Sequence, residues 1–446
     1  MAMPTDGLSS LMRVVKRLTT PIIVTAVGGL VLALGLGCDA VLDVKPPRVK
    51  IVSPSDGDSV KGDMLLHVEA DDRNLSKLAL YLDDSLLSVA GQSPLDAAVD
   101  LDTSCSIHRL RAVAYDRGGN WSEDRTTVVR LVPRVSLTLL STYDTPGSAL
   151  DFAIAGAYLY AVGDSWLIVL SLANPGVPVE MGRCTGRGGN DSYFCDVHVS
   201  GSLVCVADAS YPSSRPPAFF DVTDPCSPRL LSSLDTCAGA FGVYCEGGLA
   251  YALDFRNDFY VADVSVPAAP VILGSCRIQD TRSYGFGHMV KSGNYIYVTS
   301  ELSGIVGIDV SNPSMPARVC GLGGSSYQLG HPAIWRDTLY YSCQSYVRIT
   351  DITSPTNPVD IGSIQVRGAK DMAVDDSLLY VTSWCHLYSY PESLHILSRT
   401  DGSELLKVPT TSAEPMSVAV ADSFVYVACR DGCIMVYERK QEWVAK

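Results

Sequence analysis

The chain has 446 residues, 47% of them hydrophobic and 18% charged, with 37 Gly and 25 Pro, which is too apolar for disorder and too long for a single sandwich. Lys plus Arg number 34 against 48 Asp plus Glu, a formal net charge of −14. With no run of like charge, that balance argues against nucleic acid or an anionic lipid surface as partner.

The N-terminal residues read in the order positive, apolar, small, cysteine. Arg13, Lys16 and Arg17 precede an uncharged stretch from Leu18 to Gly37, which ends in Leu34-Gly35-Leu36-Gly37 before Cys38. This order resembles a bacterial lipoprotein signal, in which residues 1–37 are removed and Cys38 is lipidated. The family usually has Leu three residues before the cysteine, where this chain has Gly35. An uncleaved anchor is the alternative, because the stretch approaches the ~20 apolar residues that a span needs. Both readings place the rest of the chain outside the cytoplasm, membrane-anchored.

After a linker at 38–46 come short alternating runs bounded by turn residues. They include Val49-Lys50-Ile51-Val52, Met64-Leu65-Leu66-His67-Val68 and His108-Arg109-Leu110-Arg111-Ala112, an all-β pattern. Ile51, Pro54 and Gly57 open the segment, and His108, Leu110, Ala112, Ala114, Asp116, Gly119 and Asn120 close it. These residues resemble the bacterial Ig-like stalk modules of surface proteins and imply a β-sandwich over 47–132. Asp116 and Asn120 are read as shaping a hairpin turn, as Asx residues do, rather than as a calcium corner.

The remainder repeats. A turn residue precedes an aromatic or aliphatic strand at Gly156, Gly201, Gly247, Gly293, Asp337, Asp376 and Asp422, at intervals of 39 to 46 residues. A period in the forties with several short strands per repeat is the mark of a propeller blade. In the first five repeats a second motif follows: Ser171-Leu-Ala-Asn-Pro175, Asp221-Val-Thr-Asp-Pro225, Asp263-Val-Ser-Val-Pro267, Asp309-Val-Ser-Asn-Pro313 and Asp351-Ile-Thr-Ser-Pro355. Each has another proline three residues on. These residues resemble the LVIVD-repeat family of extracytoplasmic β-propellers, which implies a seven-bladed propeller over 134–440 and a tail at 441–446. The proline pairs are expected to end the third strand of each blade, since Pro lacks the donor that a central strand needs.

Repeat seven supplies three strands, ending at Ile434-Met435-Val436-Tyr437. The strand-like stretch Val135–Ser141 precedes repeat one and is otherwise unassigned. Pairing the two, with residue 137 beside 434–437, would give every blade four strands and leave no open edge.

Thirteen cysteines remain once Cys38 is set aside, with no CxxC among the 14 in the chain, which argues against zinc-ribbon or thioredoxin chemistry. Cys429 and Cys433 flank Arg-Asp-Gly and form the disulfide candidate across a hairpin. Cys226 and Cys237 lie too far apart along an extended strand to bond.

Five residues before each turn residue lies the same point on the innermost strand: Asp151, Asp196, Gly242, His288, Pro332, Asp371 and Ser417. On radially arranged blades these points form a ring at one channel mouth. Three carboxylates and a histidine there would suit a divalent cation or a cationic ligand; otherwise they cap strand ends and hold channel water. No HExxH, G-x-S-x-G or P-loop occurs, and the seven His show no ligand spacing. Trp166 and Trp384 would either grip a sugar or peptide or pack between blades. The expected function is that of a surface-anchored, non-enzymatic binding or scaffolding protein, without a required cofactor, that presents a propeller to a protein or polysaccharide. The alternative is a hydrolase or lyase using the channel-mouth carboxylates, with or without a metal.

Overall fold

In the computed structural model the described residues are 44–445, except 62–63, 100, 102–106, 187–191, 211–214, 238, 257, 279–285, 301–303, 323–329, 344, 384–391 and 411–413. Cys38, Trp384 and the signal segment lie outside them. Every regular element among the described residues is a strand, and none of these residues forms a helix long and apolar enough to cross a membrane.

The N-terminal strands make two facing sheets. One pairs Arg48–Ser53, Met64–Asp71 and Leu95–Val99. The other runs from Trp121–Asp144 through Ile107–Asp116 and Leu75–Leu82 to Ser85–Ala90. Their alternating side chains put Ile51, Leu66, Val68, Leu78, Leu80, Leu110 and Val128 into one core, as a sandwich requires. The Asp116 carboxylate accepts the Asn120 backbone amide at 2.8 Å and its side-chain amide at 2.7 Å. Its oxygens therefore hold the turn.

The repeats make six four-stranded antiparallel sheets, each taking its strands in chain order. In the first, Tyr158–Gly163 and Trp166–Ser171 are buried almost throughout, while the outer strand Val179–Thr185 is half exposed. Central strands covered on both faces need continuous apolar runs, and Trp166-Leu-Ile-Val-Leu supplies one. Trp166 is itself buried in this core. The first hairpin needs a left-handed residue, supplied by Gly156 at φ 58°; Asp422 takes the same conformation with a side chain.

Each proline pair spans the turn from third to outer strand. The turn is the same five times, with the amides of Val177, Ser227, Ala269, Met315 and Asn357 donating to the carbonyls of Asn174, Asp224, Val266, Asn312 and Ser354. The motif aspartates steady it, with Asp221, Asp263, Asp309 and Asp351 Oδ1 accepting the amides of Thr223, Ser265, Ser311 and Thr353 at 2.8 to 2.9 Å.

The seventh four-strand set draws on both ends of the repeat region. Pro415–Ala421, Phe424–Cys429 and Cys433–Ala445 are followed by Trp121–Asp144. Tyr143 lies opposite Ile434 and Ser141 opposite Val436. After a register shift Leu137 lies opposite Arg439 rather than within 434–437, and the ladder continues to Leu131 opposite Ala445. Residues 441–445 are thus strand, not tail. No break falls at 132–134, because one strand of 24 residues runs from the sandwich sheet into the last repeat sheet. The innermost strands touch in the cyclic order of the chain, and the last one, Pro415–Ala421, returns to the first, Asp151–Ala155.

Candidate functional site

Five of the seven ring positions sit where the innermost strands are irregular, while Asp151 lies in a regular ladder. Register shifts fall between Phe194 and Asp196, Ala240 and Gly242, Phe286 and Met289, Ala369 and Met372, and Pro415 and Ser417. A bulge re-aims one side chain out of the pleat. It turns Asp196, His288, Asp371 and Ser417 towards the axis.

Three aspartates tie neighbouring sheets together. Oδ2 of Asp151 accepts the Val197 amide at 2.9 Å, Oδ2 of Asp196 the Val243 amide at 2.8 Å, and Oδ2 of Asp371 the Val418 amide at 2.7 Å. Each donor follows the ring position of the next sheet. The Ser417 hydroxyl also donates to Asp371 Oδ2, at 2.7 Å. At Gly242 a Cβ would lie 2.8 Å from the Gly287 carbonyl oxygen. The close approach of the next strand leaves no room for a side chain there.

The second oxygens and two histidines converge. Asp196 Oδ1 lies 3.4 Å from His288 Nδ1 and 4.0 Å from His331 Nδ1, and Asp371 Oδ1 lies 4.0 Å from His331 Nδ1. Two groups, Asp196–His288–His331 and Asp151–His331–Asp371, each bring their ligand atoms within 4.8 Å of one another. The imidazoles of His288 and His331 stack with centroids 3.1 Å apart. His288 Nδ1 is buried without a hydrogen-bond partner.

Burial sets the charge state. It drives His288 down to about 3 and His331 to about 4, with Lys370 adding to both and the neighbouring His288 adding to His331, so both rings are neutral at pH 7. Burial also pushes the Asp151 carboxyl up to about 7, with the Asp196 charge adding to it and His331, Ser417 and the Val197 amide opposing it. Asp371 is raised well above the usual range by burial and by Asp151.

The ring counted from the sequence is thus brought together at Asp151, Asp196, His288, Asp371 and Ser417. Pro332 contributes nothing to the polar cluster, and its neighbour His331 takes that place. The fifth inner strand is only Ala333–Trp335, because Pro332 has no amide for the ladder. His331 then leaves the pleat and donates its amide to the Lys370 carbonyl at 2.8 Å. A histidine before a strand-breaking proline was the available signal.

The comparisons with known proteins give the following. The bacterial Ig domain profile matches residues 47–112, and the LVIVD repeat profile matches 146–186, 239–278 and 289–320. No curated protein matches. Among solved structures, BamB from Moraxella catarrhalis superposes with a TM-score of 0.50 at 12% identity, covering 68% of this chain and 100% of that one. The computationally designed Ika8 protein superposes with a TM-score of 0.50 at 9% identity, covering 67% and 99%. The fold is all-β, an Ig-like domain followed by a β-propeller.

Two cavities bear on function. A small one of about 110 Å³ opens onto the propeller ring beside Tyr193, Cys195, His288, His331, Lys370 and Met416. A wide groove of about 860 Å³ lies where the sandwich meets the propeller, lined by Lys61, Asp375, Asp376, Arg399, Arg439 and Trp443, among others. Lys61 Nζ sits 4.9 Å from the Trp443 ring centroid. Arg439 is held by Asp375 and the Tyr380 hydroxyl.

Cys429 and Cys433 stand opposite each other at the end of their hairpin. Both are free thiols in the structure, as are Cys226 and Cys237. The neighbouring Cys429 thiol lowers the Cys433 pKa.

Proposed function

We propose that the chain is an extracytoplasmic, surface-anchored binding or scaffolding protein. In this reading lipid at Cys38 or an uncleaved anchor holds it to the membrane, the Ig-like sandwich spaces it from the surface, and a closed seven-bladed propeller meets a protein or polysaccharide ligand. The supporting observation is the continuous strand Trp121–Asp144, which belongs to a sandwich sheet and forms the outer strand of the last repeat sheet at once. A spacer joined through one strand is stiff, unlike a Gly/Ser tether. The groove around Trp443 offers a ring face beside forked and point charges, on the scale of ligand pockets.

The hydrolase or lyase alternative is weaker on size. The cavity at the ring, about 110 Å³, is below the ~300 Å³ at which ligand pockets begin. The carboxylates there are already engaged by backbone amides.

Two measurements test the reading. Expressed in a bacterial host, the protein is expected to partition into detergent and to lose that behaviour on Cys38→Ser; persistence with an uncleaved N-terminus selects the anchor. A screen against glycans and secreted proteins is expected to yield a ligand whose binding falls on Trp443→Ala. Ligand turnover instead of binding would overturn the non-enzymatic reading.

A further inference from the structure

We infer that the axial ring is a site for one divalent first-row transition-metal ion, with His331 as the shared ligand and Asp151, Asp196, His288 and Asp371 as its other donors. The inference is independent of which ligand the outer surface binds.

Geometry comes first. Donors held roughly 2.1 Å from one ion stand about 3.4 Å apart at a tetrahedral angle and about 4.2 Å apart when opposite. The observed separations, 3.4 Å for Asp196–His288 and 4.0 Å for Asp196–His331 and Asp371–His331, lie within that window. The donors come from five different repeats, four of them from inner strands and His331 from the residue before one, so no local turn explains their convergence.

Charge comes next. Three carboxylates face the axis, and Lys370 is the cation that lines the same cavity. A divalent ion is the counter-charge that would let these buried carboxylates ionise together. Buried carboxylates without compensation are costly. His288 Nδ1 is buried without a hydrogen bond, although Asp196 Oδ1 lies 3.4 Å away.

The donor set then selects the ion. Calcium and magnesium take oxygen, at six or more positions. Two imidazoles with carboxylates suit zinc, manganese, iron, cobalt or nickel. The second oxygen of each aspartate, bound to the next sheet's amide, is the orienting contact that such ligands carry. The ion would therefore link the inner strands from within, while the small cavity leaves space for water or a small anion at an open position.

Cobalt is the probe, because the chain is rich in thiols and cobalt distinguishes them. The full-length protein, purified in detergent and stripped with chelator, is titrated with Co2+, Mn2+ and Ca2+, followed by elemental analysis, absorption spectra and melting temperature. Expected are about one Co2+ per chain, visible d–d bands without an intense sulfur-to-metal charge-transfer band, a raised melting temperature, and weaker binding of Ca2+. His331→Gln should weaken Co2+ binding by on the order of 100-fold, at least the loss seen when an outer-shell partner is removed. Should that variant fail to fold, Asp196→Asn keeps an oxygen for the Val243 amide and is expected to show a similar loss. A charge-transfer band, equal affinity for Ca2+, absence of stoichiometric binding, or full binding by folded His331→Gln would each overturn the inference.

Discussion

Asp371 accepts the backbone amide of Val418, on the adjacent sheet, at 2.7 Å. The same carboxylate oxygen takes the Ser417 hydroxyl, while the other accepts the Met372 amide. Asp151 and Asp196 repeat the contact with Val197 and Val243. The ring is therefore part of how sheet meets sheet, whatever else it binds. In chelator-treated protein, Asp371→Ala is expected to cost about 2–3 kcal/mol by leaving buried donors unpaired, and Asp371→Asn, which keeps an oxygen, under about 1. Denaturant midpoints measure this; equal losses would refute the amide-tie account.

The shared outer strand predicts the outcome of truncation. Deleting residues 38–130 leaves the ladder from Leu131–Ala445 to Asp144–Cys433 intact, so the product is expected to be soluble and folded. Deleting 38–145 exposes the whole edge of Cys433–Ala445 and is expected to aggregate or melt far lower. Size-exclusion and thermal melts decide, and identical behaviour of the two products would break the closure argument.

The repeated turn predicts an acid response. Hydrogen bonds from Thr223 and Arg229 pull the Asp221 carboxyl from 3.8 to about 2, and the Ser265 and Thr353 contacts lower Asp263 and Asp351. Folded-state values below the ordinary one mean that these turns contribute their full stability above about pH 4 and lose it as pH falls towards 2. Urea midpoints from pH 5 to 2 should fall more steeply for the wild type than for the triple Asp221/Asp263/Asp351→Asn variant. Parallel curves would show that the turns are indifferent to charge.

Cys429 and Cys433 face each other as free thiols. Exported into an oxidising compartment, the pair is expected to form a disulfide that closes a very short loop, stabilising by about 2 kcal/mol. Peptide mapping without reduction reads the outcome directly. Alkylation of both residues in unreduced protein would count against the bond.

Much of this architecture was legible from local pattern. The seven turn-plus-strand units, the proline pairs and the Asx aspartates act over a few residues, so backbone restriction and side-chain-to-amide hydrogen bonds reveal them in one dimension. The unpaired stretch at 135–141 was legible for the same reason: a repeat one strand short implies a donor elsewhere. Counting along each inner strand also recovered Asp151, Asp196, His288, Asp371 and Ser417, because equivalent positions of a repeat occupy equivalent places.

Only the tertiary structure decided the rest. His331 lies one residue off the counted position and enters the ring because Pro332 ends the ladder and because His288, 43 residues away in sequence, packs against it. The single strand from sandwich to propeller was hidden because the sandwich pattern reads as ending at 132 and the repeats as beginning at 134, on either side of Pro133. On an outer strand, though, a missing amide on one side is tolerated. Whether three aspartates are caps or ligands depends on where their second oxygens point. That is set by inner strands meeting about one axis, bulged at Asp196 and Asp371 and regular at Asp151, a relation between sheets that no segment of the sequence contains.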